Sequence, residues 1–482
     1  MMQRHDYQNR MIDFAYWRLI VENQPGVAWW ADPGLGKTLC ALELTKRLRK
    51  QGQALRTLVI APLDVCYSTW PTEIQKFGYP WIPRIIHSPT NNTAAFRKRQ
   101  CRGGSSYIHL INPEGVKWLS ESTDTEWDLV IVDESTKFKN WSAVRTEKLV
   151  QMVNANRIKK LITMTGTPKP NGYQDIYSQM WLCDHGQALG PTLTYYRQWA
   201  LQQIGWAEQA RWGIRNEQIP EIERRIAPLV MRVDARDHLE LPHVKNNVVY
   251  VDLPPDVFRV YADMHEQLLA LLDSGETLAA SNAGVKYSMC RQIANGGCWY
   301  RDDDEQKQYE EIHTVKIEAI KHLVDGLDGQ PVIIAFQFNH DLDRLLKVWP
   351  KAPYIKGKVK ANERKAIIAN WNEGRIPIMF VQPQALAHGA NMQAGGANMI
   401  WYGLTDQYEL FDQLKRRLWR QGQEADTVRF HYVLARHTVD YSIMDNLKNK
   451  GTSQQQLMDA IKRRRNDFHG HGVGFTEANS VL

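Results

Sequence analysis

The chain has 482 residues, 43% hydrophobic and 23% charged, with a net charge of +7. That length predicts about three domains with ample core, and the balanced composition excludes a disordered, collagen-like or low-complexity chain. The small positive excess is compatible with a polyanionic partner, and no apolar run approaches the ~18 residues of a membrane span. Residues 1–8 lack the apolar core of a signal peptide. The six cysteines (Cys40, Cys66, Cys101, Cys183, Cys290, Cys298) show no Cys-x-x-Cys spacing. No zinc site is therefore expected, and the protein is expected to be soluble and cytoplasmic with reduced thiols.

Residues 7–12 lead into a helical pattern through Trp17, Leu19 and Ile20. Gln8 lies there, and its amide offers one donor and one acceptor side, the complement of an adenine edge. Next come the apolar residues Val27, Ala28, Trp29 and Trp30. The sequence Ala31-Asp32-Pro33-Gly34-Leu35-Gly36-Lys37-Thr38 follows, then a helical pattern in Leu39, Leu42, Leu44 and Leu48. A glycine loop between a strand and a helix is the setting of a phosphate site. Gly34 and Gly36 permit the tight turn that aims backbone N–H groups at phosphate oxygens. The helix N-terminus adds its positive dipole end. Lys37 is placed to reach the β- and γ-phosphates of ATP, and Thr38 to offer its hydroxyl to Mg²⁺. The usual loop opens with Gly, where this one has Ala31.

Residues 57–62 predict a buried strand ending at Pro62, with a helix over 67–77 carrying Trp70 and Ile74. The basic run Arg97, Lys98, Arg99 and Arg102 reads as a solvated face or as a phosphate contact. Residues 107–112 predict a strand ending at Asn112. Residues 128–134 form an apolar strand that ends in two adjacent carboxylates. If the chain turns at that end, both carboxylates can face one site. Asp133 would then hold Mg²⁺, and Glu134 would orient or deprotonate the attacking water. Residues 161–168 add a strand ending in Thr165-Gly166-Thr167-Pro168. Repeated strand–helix units predict an α/β fold with a parallel sheet and a site at the C-terminal edge of its strands.

Gln8, the 31–38 loop, Ala61-Pro62, Asp133-Glu134 and Thr165-Gly166-Thr167-Pro168 stand in the order seen in superfamily-two helicases. The tail Lys137-Phe138-Lys139-Asn140 resembles the Snf-type, chromatin-remodeller-like branch. The resemblance implies two tandem RecA-like lobes with parallel sheets and helical insertions between them. It places the first lobe over residues 1–240, a helical insertion and linker over 241–311 and the second lobe over 312–465. Residues 466–482 are expected to form a flexible tail.

Within 171–310, helical patterns lie around 195–204 and 257–272, and Leu241-Pro242 and Leu253-Pro254-Pro255 break the chain. The second half resumes the alternation. Strands are predicted at 331–338, 354–357, 376–381, 399–402 and 427–434, and helices at 313–325, 341–346 and through 443–450. It carries no phosphate loop of its own. Arg417 and Arg420 are three apart and so share a face on a helix. Their stretch, 413–423, resembles the last motif of the family, which implies arginine fingers that stabilise charge on the transferring phosphoryl group.

The resemblance further implies nucleic-acid backbone contacts near Pro62 and Asn112 in the first lobe and near Gln337, Lys356 and Gly389 in the second. It also puts Gly389 near the nucleotide and gives Thr165 and Thr167 a coupling role. Three positions depart from the pattern: Thr136 replaces a usual His, residues 387–393 vary the glycine-rich fifth motif, and Arg416 replaces a usual Asp. The compact length resembles bacteriophage-type members, which act in the cytoplasm of a bacterial host. The implied function is a monomeric motor, dependent on ATP and Mg²⁺, that moves on double-stranded or branched DNA. The alternatives are a strand-separating DNA or RNA helicase and a nucleotide-switched host-interaction protein without turnover.

Overall fold

The computed structural model describes residues 4–204, 211–274, 277–301, 307–357, 359–386 and 391–451. It divides into two compact units: residues up to Gln203 together with Trp212–His238, and residues from Leu239 to Gly451. Each unit is built on a parallel sheet, giving an α/β architecture. Among the described residues no helix is long and apolar enough to cross a membrane.

The first sheet contains β1 (Gly26–Ala31), β2 (Thr57–Ile60), β3 (Ile82–Ile85), β4 (Tyr107–Ile111), β5 (Trp127–Asp133), β6 (Ile158–Thr165) and β7 (Val230–Val233). Their order is β3-β4-β2-β5-β6-β1-β7, and every neighbouring pair is parallel. β1 and β2 are buried along their whole length. Helices cover both faces of such a strand, so it reads as a continuous apolar run. Trp29 and Trp30 point to opposite faces, and both are fully buried.

The helices that matter for the site are α1 (Asp6–Tyr16), α2 (Lys37–Lys50), α3 (Thr69–Lys76), α4 (Ile176–Asp184) and α5 (Ile219–Ile226) in the first unit, and α6 (Asn339–Val348) and α7 (Tyr408–Lys415) in the second. α4 crosses β1 so closely that a Cβ on Gly26 would lie 2.8 Å from the Cys183 Cα. Every residue of α4 is buried. A helix buried on all sides has no polar–apolar stripe for the sequence to show.

Several expected boundaries shift. The helix expected over 67–77 is two helices, Leu63–Tyr67 and α3, broken at Ser68. Pro71 has no N–H to donate back across that break. The helical pattern at 195–204 stops at Ala200 and continues as a strand, Leu201–Ile204. The basic run 97–102 occupies the helix Ala94–Gln100 and the residues just after it, ahead of the start of β4. That is the edge of the sheet opposite the glycine loop.

The second sheet contains β8 (His243–Val251), β9 (Val332–Ala335), β10 (Tyr354–Ile355), β11 (Ile378–Val381), β12 (Asn398–Trp401) and β13 (Thr427–Ala435), in the order β8-β13-β12-β9-β11-β10. Residues 241–311, read as a helical insertion and linker, therefore begin with an edge strand of this sheet. The β-branched residues Val244, Val248, Val249 and Val251 favour that conformation, and Tyr432 Oη donates to Asn246 Oδ1 at 2.9 Å across the β8–β13 pair. Helices Pro255–Ser274 and Thr277–Asn295 and an antiparallel ribbon, Gly297–Arg301 with Lys307–Glu311, complete the segment.

Inside the second unit a buried polar network replaces apolar packing. Lys316 Nζ donates to Asp440 Oδ2 at 2.6 Å and to Asn295 Oδ1 at 2.9 Å, and Asn295 Nδ2 donates to Asp341 Oδ2 at 3.0 Å. Asp341 Oδ2 also accepts the backbone N–H groups of Gln337 and Phe338. The paired charges and satisfied amides make this burial tolerable.

Candidate active site

In the first unit the chemistry-bearing residues sit at the C-terminal edge of the parallel sheet, in strand order. Asn112 follows β4, Pro62 follows β2, Asp133 ends β5, Thr165 ends β6 and the glycine loop follows β1. The positions expected at nucleic acid thus stand at one side of this edge and the glycine loop at the other. Asp133 and Thr165 lie between them.

The loop turns through two left-handed glycines, Gly34 (φ 91°) and Gly36 (φ 75°), and α2 starts immediately after at Lys37. The left-handed φ of Gly36 favours glycine, and a Cβ there would also meet Gln8 Nε2 at 2.6 Å. Gln8 is buried in α1. Its Nε2 donates to Leu35 O at 3.3 Å and its Oε1 accepts the His5 N–H at 3.1 Å. One N–H and one lone pair of the amide lie beyond these two bonds. Lys37 Nζ donates to Ala31 O at 2.7 Å and Asp32 O at 3.2 Å.

β5 ends at Asp133, and the chain turns at Glu134, whose φ of 56° is left-handed without being glycine. Such a conformation costs of order 1–3 kcal/mol and marks functional positions. The turn leaves Asp133 buried and Glu134 half-buried. Asp133 Oδ2 accepts the Trp70 Nε1–H of α3 at 3.1 Å. Desolvation pushes the Asp133 carboxyl above the usual carboxylate range, while Lys37, the Trp70 indole and the Glu134 backbone pull it back. Asp133 and Thr38 together offer hard oxygen donors, and Lys37 lies close enough to Asp133 to act on it electrostatically. That donor set fits a hard divalent cation such as Mg²⁺.

Thr165 Oγ1 accepts the Thr167 N–H at 3.0 Å, closing the hydroxyl-rich turn on itself. A Cβ on Gly166 would lie 3.1 Å from Pro33 Cδ, so this turn is packed against the glycine loop. Ser135 Oγ donates to Gln179 Oε1 at 2.7 Å, and Gln179 Nε2 donates to Pro168 O at 2.8 Å. Gln179 of α4 therefore joins the segment after Asp133-Glu134 to the segment after Thr167. The sequence reading missed Gln179, as it missed Trp70 as a partner of Asp133. A polar residue inside an all-buried helix was the one available sign of the first.

In the second unit Gln337 follows β9 and Lys356 follows β10, with β11 between those strands. Gln382 at the end of β11 donates from Nε2 to Gln337 O at 3.2 Å. Gly389 lies outside the described residues. α7 ends at Lys415, so Arg417 and Arg420 do not share a helical face as expected. The chain instead tightens into turns, with Arg417 N–H bonding Leu414 O at 3.0 Å and Gln423 N–H bonding Arg420 O at 3.3 Å. Leu418 is buried there, and Trp419 Nε1 donates to Pro242 O at 3.0 Å. Arg417 is buried, and Arg420 donates to Asn391 Oδ1.

Residues 7–296 match the SNF2-related domain family, and residues 315–422 match the helicase conserved C-terminal domain. The chain belongs to the SNF2-related family. This SNF2-related chain is 30% identical over 452 residues to the putative protein p41 of Acyrthosiphon pisum secondary endosymbiont phage 1, covering 90% of this chain and 95% of that protein. It is 23% identical to the putative ATP-dependent helicase/translocase YwqA of Bacillus subtilis, over 89% of this chain and 46% of that protein. With the DNA annealing helicase and endonuclease ZRANB3 of Mus musculus it shares 22% identity over 89% of this chain and 39% of that protein. It therefore spans less than half the length of these two relatives. Among solved structures, the Sulfolobus solfataricus SWI2/SNF2 ATPase core in complex with dsDNA aligns at 19% identity and a TM-score of 0.43, over 98% of this chain and 95% of that one.

Proposed function

We propose that this SNF2-related chain is an ATP-driven motor that moves on double-stranded or branched DNA. The observation that carries this reading is the placement of the 31–38 loop and Asp133-Glu134 on one sheet edge, with Lys37 acting on the buried Asp133 carboxyl. In this reading the loop's N–H groups and the start of α2 cradle the triphosphate. Lys37 exchanges its contacts on Ala31 O and Asp32 O for phosphate oxygens. Gln8 meets the adenine with its remaining donor and acceptor. Thr38 and Asp133 would hold Mg²⁺, which would supply charge neutralisation at the phosphates. Glu134 orients the attacking water and takes its proton.

Arg417 and Arg420 act on the same nucleotide, stabilising charge on the transferring phosphoryl group. Pro62, Asn112, Gln337, Lys356 and Gly389 contact the DNA backbone. Thr165 and Thr167 link nucleotide state to that grip, and the Gln179 bridge between their turn and Ser135 supports the assignment. The motor works as a monomer in the cytoplasm of a bacterial host.

The test is ATP turnover measured side by side with duplex, forked and four-way-junction DNA, single-stranded DNA and RNA. Duplex or branched DNA is expected to raise the rate most, with a stimulation that weakens as salt rises, because phosphate contacts release counterions. Maximal stimulation by single-stranded DNA or RNA favours a strand-separating helicase. A rate indifferent to every nucleic acid overturns the motor reading.

A further inference from the structure

The glycine loop is gripped by the segment through which the chain leaves the first unit. Arg232, in β7, is almost fully buried, with 3% side-chain exposure. Its guanidinium lies 3.3 Å from Asp32 Oδ1 and 3.4 Å from Asp234 Oδ2. Nη1 also donates to Trp30 O at 3.1 Å and Val233 O at 2.6 Å. Asp32 answers from the loop side. Its Oδ2 accepts the Ala235 N–H at 3.0 Å, and its own N–H donates to Val233 O at 3.2 Å.

Asp234 is held a second time by Arg236, through Nε at 3.1 Å and Nη2 at 2.7 Å. Burial alone would raise the Asp234 carboxyl, but the hydrogen bond from the Arg236 side chain, and then the Arg232 charge, hold it well below the usual carboxylate range. Tyr7, beside Gln8, stacks on His238 with ring centroids 4.8 Å apart. Leu239, the next residue, begins the second unit.

Three consecutive residues at the end of β1 and the start of the loop serve two cations. Trp30 O and the Asp32 carboxylate bind Arg232, while Ala31 O and Asp32 O bind Lys37. Arg232 thus holds the Trp30 carbonyl and the Asp32 side chain on either side of the Ala31–Asp32 peptide, and Val233 O holds the N–H of that peptide, whose carbonyl Lys37 rests on. Arg232 stands between the two buried carboxylates, and Arg236 adds a second cation to Asp234 from the exposed side. Only a planar guanidinium fork reaches two carboxylates and two carbonyls at once, and an ammonium does not reproduce that set.

We propose that Arg232 is a positioning residue for the nucleotide loop: through Asp32 it sets the peptides that orient Lys37, and residues 232–238 form the clamp. This rests on the reading of the 31–38 loop as the ATP site.

The test uses the full chain and the variants Arg232→Lys and Asp32→Asn, with Leu48→Ala as a control that loosens the buried face of α2 away from the clamp. Two readouts are taken: amide hydrogen exchange, and kcat and KM for ATP with duplex DNA. Arg232→Lys and Asp32→Asn are expected to speed exchange at least about tenfold in peptides covering 31–38 while β2, β4 and β5 stay protected. They are also expected to raise KM for ATP by at least about tenfold, as loss of ground-state phosphate binding does. Leu48→Ala is expected to speed exchange across the unit without that change in KM. Wild-type exchange at 31–38 in Arg232→Lys overturns the clamp, and so does a uniform increase over the whole sheet. If the wild-type chain turns over no ATP, the reading of the loop fails, and the exchange pattern alone then decides whether the clamp exists.

Discussion

At the scale of single residues, the backbone at Glu134 and the environment of Asp133 give two adjacent carboxylates different surroundings, as the two tasks proposed for them require. The left-handed turn separates a buried side chain from a half-buried one. Glu134→Gln keeps the turn and removes the base, so ATP turnover is expected to fall by about 10²–10⁴-fold while the thermal midpoint stays near that of the wild type. Turnover close to wild type in that variant contradicts the assigned chemistry. Asp133 titrates above the usual carboxylate range because it is desolvated, and the Trp70 N–H favours its ionised form. Trp70→Phe removes that donor and raises the Asp133 pKa further. The acid limb of the kcat/KM profile should therefore move to higher pH, which a pH titration of turnover measures.

His109 in β4 gives a stability prediction. It is fully buried, and burial pushes its pKa down to about 4, against the partly offsetting bond of Nδ1 to Gln100 O. The unfolded chain binds more protons than the folded one between that value and about 6.5. Stability is complete above the higher pH and falls as pH drops towards 4, by of order 3 kcal/mol for this group. The fall in unfolding midpoint between pH 7.5 and pH 5 should be smaller in His109→Gln than in the wild type.

At the scale of elements, legibility followed burial pattern. β1, β2 and β5 are apolar on both faces and end where a proline, a glycine loop or paired carboxylates intervene, so sequence located each within a residue or two. α4 is buried all round and gave no period to read. β7 and β8 are short or edge strands in a stretch broken by prolines, and their pairing is set by distant strands rather than local pattern. The turn after α7 shows the same limit. The spacing of Arg417 and Arg420 suits a helix, but α7 stops at Lys415, with Leu418 buried and Trp419 anchored on Pro242 O. The loop residues were legible because glycine, lysine and threonine at that spacing encode their own backbone chemistry. Gln179, Trp70 and Arg232 were not, because their roles depend on which strands become neighbours. Gln179→Ala leaves the Ser135 hydroxyl and Pro168 O without that partner, at a cost of about 1–3 kcal/mol. It is expected to lower DNA-stimulated turnover more than basal turnover, and equal losses in both rates contradict a linking role.

At the scale of the whole molecule, two parallel sheets share one chain, and the glycine loop belongs to the first alone. The second unit carries Arg417 and Arg420, and its sequence holds no phosphate loop of its own. The account therefore makes hydrolysis a property of the whole chain. Arg420→Ala should lose turnover by about 10³-fold or more although every residue of the first unit is intact. The measurement that bears most directly on this account is the steady-state ATPase rate of the wild-type chain with and without duplex DNA, repeated with Glu134→Gln and Arg420→Ala. The account predicts a rate raised by duplex DNA and lost in both variants. A wild-type rate unchanged by duplex DNA, or a stimulated rate that survives in Arg420→Ala, would contradict it.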